Sequence, residues 1–267
     1  MWPWNRKSRP TAQDAARRLV ILKHITIHTT TAPPRDMLAE IMANWDAVER
    51  AAFERDAEET RREMCGALKA EGLWAYLSPK EQALCATTIV TFSEQQQIDG
   101  TWRLEAAQTL MWALGLLPKL PPYDSLAEPE VLKPVPCQET AGFIAQARLR
   151  DAAEIDQARD LAEFWHWRCR TRELIERGEV LEPNEAMKSA GLNSFDDIIR
   201  MAAQRGAEDG SFASIDGDFP ARGKAYRDLT ADEWSEVGSI TRERHFALNW
   251  LCGYASGNRW DKTPTDT

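Results

Sequence analysis

Helix-start signals are the feature that most constrains how this chain can fold. Ser78 can cap a helix, Pro79 suits the first helical position, and Glu81 can complete a capping box. Thr230 and Glu233 repeat the capping-box arrangement near the C-terminal end. Apolar residues recur at helical spacing after these starts, whereas no segment alternates strongly enough to build a sheet. We therefore predict an all-α fold, a single multi-helix globular domain.

The periodic pattern also gives approximate bounds. We expect helices at 12–24, in one long segment after Pro33–Pro34, and at 78–93, 101–118, 151–177, 183–190, 195–205 and 230–252. In the long segment, a stripe from Leu38 to Ala52 includes Val48 and should face the core. One short strand is an alternative at 25–29. Six prolines in residues 118–136 predict an extended crossover, and residues 206–228 predict a long loop.

The domain organisation follows from these bounds. Residues 1–35 are predicted to be an N-terminal extension and residues 36–267 the helical domain. Gly253 and Gly257 allow the C-terminal tail to fold back onto that domain.

Composition limits the classes of partner. The net charge of -9 and pI near 5.1 argue against nucleic acid and suit solubility or a basic protein partner. No apolar stretch approaches the length needed to span a bilayer, so no membrane role is predicted. The five cysteines form no C-x-x-C pair, and reduced thiols in the cytoplasm are the simplest explanation. The sequence predicts no metal site and no cofactor, and it leaves the oligomeric state open.

The last predicted helix carries a charged residue within its apolar stripe. Arg244 lies among residues at helical spacing, and a buried guanidinium needs a carboxylate partner. Asp261, Asp266 and Glu105 are the candidates. Two alternatives stay open: a structural salt bridge that fixes the tail, or an anion site that contains Arg244.

Further ionisable and aromatic residues accompany Arg244. His245 can act as a general base near a carboxylate, or it can be a hydrogen-bonded packing residue. Arg103 beside Asp261, together with Glu105 beside Arg244, would close a charged network. The other candidates for a ligand site or a structural network are His166, Asn249, Trp250 and Trp260.

Several stretches resemble a known family. They are the C-terminal block 243–267, the central block 101–123, the helix segment 164–168 and the loop 217–226. Together they are similar to the bacterial family called domain of unknown function 4272. The resemblance extends from about residue 60 onward and implies an architecture but no reaction, so no catalytic residues follow from it.

Two functional hypotheses remain. The first is a cytoplasmic, non-catalytic interaction protein, for example an immunity-type protein that masks a basic toxin. The alternative is an enzyme or small-ligand-binding protein whose site combines the central helix with the C-terminal block. An open pocket lined by the candidate residues favours the alternative, whereas full burial and mutual pairing count against it.

Overall fold

The computed structural model describes residues 8–265, and helices dominate this part of the chain. The α-helices are α1 (Ala12–Thr30), α2 (Arg35–Asn44), α3 (Ala47–Ala70), α4 (Pro79–Cys85), α5 (Glu94–Ala113), α6 (Thr140–Gln146), α7 (Ala152–Glu176), α8 (Glu185–Ser189), α9 (Phe195–Glu208) and α10 (Ala231–Leu251). Strands β1 (Pro220–Ala221) and β2 (Lys224–Ala225) form a two-residue antiparallel pair. The prediction of an all-α fold is confirmed.

The helix starts follow the capping chemistry of the sequence. The Ser78 hydroxyl accepts a hydrogen bond from the Glu81 amide, and the Glu81 side chain accepts one from the Ser78 amide. Thr230 and Glu233 make the same reciprocal pair before α10. Each box satisfies amide donors that a helix start leaves unpaired. These two starts confirm the sequence prediction.

The chain packs as two compact units. Unit 1 contains residues up to 120, residues 127–155 and residues 246–264. Its centre is α1 against α5, and Leu19, Val20 and Leu22 of α1 are fully buried there. Gly100 permits the close approach, because a Cβ at this position would overlap the Thr29 side chain. The proposed boundary at residue 35 stays a prediction, although α1 supplies much of this core.

Unit 2 contains residues 121–126, residues 156–245 and Thr265. Its core is aromatic. The Phe219 ring lies 4.8 Å from Phe164, 5.2 Å from Trp165 and 4.6 Å from Phe212, measured between centroids. Phe219 belongs to the segment predicted as a long loop, and it is completely buried. The segment 206–228 is therefore ordered by burial, with the β1–β2 hairpin inside it.

Several predicted element bounds are wrong. The strand considered at 25–29 is helical, because α1 continues to Thr30. The long helix after Pro33–Pro34 breaks at Trp45, where Asp46 caps the start of α3 through the amides of Val48 and Glu49. Val48 is consequently 74% exposed and does not face the core.

The helix predicted at 78–93 is also shorter than expected. It ends at Cys85, because the β-branched run Thr87–Thr91 disfavours helix. Ser93 then caps α5, which starts at Glu94, seven residues before the predicted start at 101. Within the proline-rich crossover, residues 129–132 form a short 3₁₀ turn.

No helix among the residues that the structure describes is both long and apolar enough to cross a membrane.

Candidate functional site

Arg244 is part of the core of unit 2. It is 1% exposed, and its guanidinium donates to the carbonyls of Pro121, Pro122 and Ser125 at 2.7–2.8 Å. The guanidinium carbon also lies 5.6 Å from the Tyr123 ring centroid. Arg244 thus holds part of the proline-rich segment through main-chain acceptors, which leave no signal in a sequence. The predicted carboxylate partner stays a prediction.

His245 and His166 are neighbours in the same unit. Their Nδ1 atoms are 3.1 Å apart, a contact that requires a proton on one of the two nitrogens. Burial, followed by the proximity of His166 and then of Arg159, lowers the pKa of His245 to about 3. A general base works best when its pKa lies near the working pH. Of the two alternatives for His245, this environment favours the packing residue over the general base.

An ion pair in unit 2 was missed by sequence reasoning. Arg168 Nε and Nη2 donate to Asp218 Oδ1 and Oδ2, each at 2.7 Å, and the two side chains are 1% and 0% exposed. Asp218 also accepts from the amides of Phe219 and Arg227. Both residues belong to stretches that carry the family resemblance, but their separation of 50 positions in the sequence hides the pairing.

A cavity of about 480 Å³ also belongs to unit 2. His166 lines it together with Cys169, Arg170 and Glu173 on α7. Burial is the main cause that raises the pKa of the Cys169 thiol. A raised pKa lowers the fraction of thiolate, so the geometry does not activate Cys169 as a nucleophile.

In unit 1, three predicted residues hold main-chain segments. Glu105 Oε1 accepts from the Ala127 amide at 2.7 Å. Asn249 Nδ2 donates to the Pro264 carbonyl, and Trp250 Nε1 donates to the Asn258 carbonyl, both at 2.9 Å. The last two bonds fix the C-terminal tail on α10, which confirms that the tail folds back.

A cavity of unit 1 lies beside that tail. We call this space the tail cavity, and its volume is about 400 Å³. Predicted residues Trp250, Trp260 and Asp261 line it. The remaining lining residues are Asp14, Arg17, Arg18, Ala75, Tyr76, Leu77, Ser78, Pro79, Asn258 and Arg259. Part of the predicted site thus surrounds a space that can hold a molecule.

A buried ion pair stands at the tail cavity. Arg18 Nη1 donates to both carboxylate oxygens of Glu81 at 2.6 and 2.8 Å, and Nη2 donates to the Tyr76 carbonyl at 2.7 Å. The Arg18 guanidinium carbon lies 5.1 Å from the Trp260 ring centroid. Sequence reasoning missed Arg18, because α1 was assigned to an extension and its partner lies 63 residues away.

Three buried polar atoms of the tail cavity's lining residues have no hydrogen-bond partner. They are Arg18 Nε, Trp260 Nε1 and Asn258 Oδ1. Arg18 and Trp260 are only 8% and 2% exposed. Buried polar groups are normally hydrogen-bonded, and an orphan group costs about 1–3 kcal/mol. Two orphan donors and one orphan acceptor thus belong to residues of one lining.

A second cavity of about 260 Å³ shares Trp260 and Asp261 with the first. Arg103 lines this second cavity, and its guanidinium carbon lies 5.2 Å from the Phe246 ring centroid. Arg103 and Asp261, which were predicted to be near each other, therefore line one cavity. Asp266 lies outside the described residues, and its predicted role stays a prediction.

Within residues 8–265, no group of three or more His, Cys, Asp or Glu side chains is placed to hold a metal ion. His24 and His28 on α1 are one helical turn apart, but each uses Nε2 on a carbonyl, of Cys137 and Thr87 respectively.

Comparison with known proteins gives a family and no activity. Neither the curated proteins nor the solved structures contain a match. A family model described as a domain of unknown function, DUF4272, matches residues 8–187. The match includes the central block and segment 164–168, and it begins far before residue 60. The C-terminal block and loop 217–226 lie outside the matched residues. Because the matched part exceeds half of the chain, this protein belongs to the DUF4272 family.

Proposed function

We propose that this protein binds a small molecule in the tail cavity. The observation that carries the proposal is the set of three buried, unpartnered polar atoms on residues lining a space of about 400 Å³. This volume falls within the range of about 300–1,000 Å³ typical of ligand sites. Trp250 and Trp260 supply an apolar wall beside the polar atoms, a combination that gives both affinity and orientation.

The buried carboxylate beside the tail cavity serves binding. Glu81 is bound to Arg18 of the lining, and both its oxygens accept hydrogen bonds from Arg18. Glu81 Oε2 also accepts from the Ser78 amide at 2.7 Å. Both oxygens are thus occupied by donors of the protein. Glu81 is therefore a positioning group for Arg18.

The experiment uses three matched leucine substitutions. Ala75 and Ala83 are exposed and line the tail cavity and the second cavity respectively, whereas exposed Ala86 lines neither. A library of small polar molecules is screened by thermal shift against the wild-type protein. We expect hits whose stabilisation is lost in Ala75→Leu and retained in Ala86→Leu. Ala83→Leu shows whether the second cavity contributes to ligand binding.

Two outcomes contradict the proposal. One is a library without any compound that stabilises the protein. The other is a set of hits that bind Ala75→Leu as well as the wild-type protein.

An interaction with a basic protein is the second candidate function, and an immunity-type role is its most concrete form. Residues 173–185 carry five glutamates and one arginine, and most of this segment is exposed. Val180 in its middle is 83% exposed. Acidic side chains around an exposed apolar residue are suited to a basic partner.

A charge-matched pair of variants tests this second candidate. Glu176, Glu179 and Glu182 are changed to glutamine together, and the control changes the exposed Glu54, Glu59 and Glu63 of α3. A basic toxin or other cognate protein that co-purifies from the native host should bind the first variant more weakly than the control. Equal binding to both variants, or no partner in the pull-down, contradicts the candidate.

A further inference from the structure

The two orphan donors of the tail cavity lie close to each other. The Arg18 guanidinium packs over the Trp260 ring, with 5.1 Å from guanidinium carbon to ring centroid. Both Arg18 Nε and Trp260 Nε1 are buried N–H groups without an acceptor. We infer that the tail cavity recognises an oxyanion, the carboxylate or phosphate group of a small organic acid, through these two N–H groups. The inference rests on the proposed function and gives it a ligand class.

The surroundings fix both donors in place. Arg18 has no freedom to turn, because Nη1 is bound to Glu81 and Nη2 to the Tyr76 carbonyl. The Trp260 ring packs edge-to-face against Phe246 at 4.8 Å and Trp250 at 5.2 Å. Neither group can therefore reach another acceptor without breaking its packing. Donors fixed in this way bind an acceptor with little loss of side-chain entropy.

The guanidinium charge of Arg18 favours an anion over a neutral acceptor. The Arg17 guanidinium is paired with Asp14 at 3.0 Å, and Arg18 is paired with Glu81. Arg259 and Asp261 also line the cavity, and neither has an ion-pair partner among residues 8–265, so the lining charges balance. The preference therefore comes from Arg18 Nε, which belongs to a cationic group, since charge-assisted hydrogen bonds are the stronger kind.

The orphan acceptor limits the ligand further. Asn258 Oδ1 is buried and can accept a hydrogen bond from a hydroxyl or an amino group. A ligand that satisfies all three atoms carries an oxyanion and, beside it, such a donor. Hydroxy acids, amino acids and phosphorylated hydroxy compounds have this arrangement.

Indole nuclear magnetic resonance tests the inference at the atom concerned. Each tryptophan gives one ¹H–¹⁵N indole signal, and Trp260→Phe identifies the signal of Trp260. The probes are lactate, lactamide and inorganic phosphate, each titrated into the full chain at up to tens of millimolar. Lactate and lactamide differ in charge but share the hydroxyl. We expect lactate or phosphate to move the Trp260 indole signal, and lactamide to leave it in place.

Affinity measurements with matched variants supply the second test. Trp260→Phe keeps an aromatic ring and removes the N–H, whereas Trp234→Phe makes the same change in unit 2. We expect the first variant to weaken oxyanion binding roughly tenfold or more, and the second to bind like the wild-type protein. The response to lactate against phosphate then distinguishes a carboxylate site from a phosphate site.

Different outcomes contradict the oxyanion inference and the proposed ligand site. If lactamide binds as tightly as lactate, or if ligands bind without moving the Trp260 signal, the oxyanion inference is wrong while the ligand site stands. The inference is also overturned if no oxyanion moves the signal but other compounds stabilise the wild-type protein and not the Ala75→Leu variant. If nothing binds in either experiment, only water satisfies the three atoms and both proposals fail.

Discussion

Each unit of this protein contains a buried arginine–carboxylate pair, and the two pairs have different surroundings. In unit 2, Arg168 and Asp218 are 1% and 0% exposed, and the Arg168 guanidinium carbon lies 4.5 Å from the Tyr226 ring centroid. In unit 1, Arg18 and Glu81 are 9% and 7% exposed, and Arg18 lines the tail cavity. Each arginine has one nitrogen without a partner, Arg168 Nη1 and Arg18 Nε.

The two ion pairs, although similar in chemistry, serve different purposes. Asp218 receives two hydrogen bonds from Arg168 of α7 and two from amides within the segment 218–227, so its pair is a device for folding that segment. Arg18 has a bidentate partner too, but its remaining donor belongs to the lining of a space of about 400 Å³. An enclosed pair stabilises the fold, whereas a pair at a cavity can also present a donor to a ligand.

The largest expected effect is in the enclosed pair. Asp218→Asn removes the charge that compensates Arg168, and breaking a buried pair in this way costs about 3–5 kcal/mol. Urea denaturation measures the free energy of unfolding. The control is Asp228→Asn, the same change at an exposed position of the same unit. Equal stability of the two variants would show that Arg168 reaches water and would end the contrast between the pairs.

The pH dependence of stability gives the next largest effect. Burial lowers the pKa of His245 to about 3, so below pH 6.5 His245 binds a proton in the unfolded chain and stays neutral in the folded chain. The contribution of His245 to the free energy of unfolding is therefore present above pH 6.5 and is lost as the pH decreases toward 3. The loss between pH 7.5 and pH 5 is about 2 kcal/mol for a histidine that stays neutral.

Other histidines act in the same direction. Burial also lowers the pKa of His24 and of His28 in unit 1. Urea denaturation at several pH values gives the total loss in the free energy of unfolding. The imidazole signals in nuclear magnetic resonance then show how much of this loss each histidine causes. A free energy of unfolding that is constant between pH 7.5 and pH 5 contradicts this account.

The pair at the cavity should be less sensitive than the enclosed pair. Glu81→Gln keeps the capping geometry and removes the charge, and water in the tail cavity can then hydrate Arg18. We expect a loss of about 1–2 kcal/mol, measured by urea denaturation against Glu94→Gln at an exposed position of α5. A loss as large as that of Asp218→Asn would show that Arg18 is as enclosed as Arg168.

The smallest effect separates two neighbouring tryptophans. Trp250 and Trp260 are 3% and 2% exposed, but only Trp250 Nε1 has a partner, the Asn258 carbonyl. Replacement by phenylalanine removes similar ring area at both positions. Without ligand, Trp250→Phe should therefore cost about 1 kcal/mol more than Trp260→Phe. Equal thermal stability of the two variants would mean that the Trp260 indole has an acceptor after all.

Local features of the fold were predictable from the sequence. The capping residues Ser78 and Thr230 fix two helix starts, and the long helix predicted at 151–177 is α7 at 152–176. The break at Trp45 was not foreseen, because the side-chain cap of Asp46 competes with helical periodicity. Non-local packing decides such cases, and a pattern of apolar residues does not contain it.

The candidate site was predictable only in part. Trp260 and Asp261 stood out because aromatic and charged residues meet in the tail, and both line the tail cavity. Arg18 was missed, because its pairing with Glu81 connects segments that are far apart in the chain. The unpartnered atoms could not be found at all from the sequence, since an unmade hydrogen bond is a property of the folded chain.

A high-resolution crystal structure of the full chain soaked with lactate shows whether the two donors of the tail cavity bind an oxyanion. We expect ordered ligand density in the tail cavity, with oxygen atoms about 2.7–3.2 Å from both Arg18 Nε and Trp260 Nε1. Density for water alone at these two atoms, unchanged by the soak, would contradict this expectation.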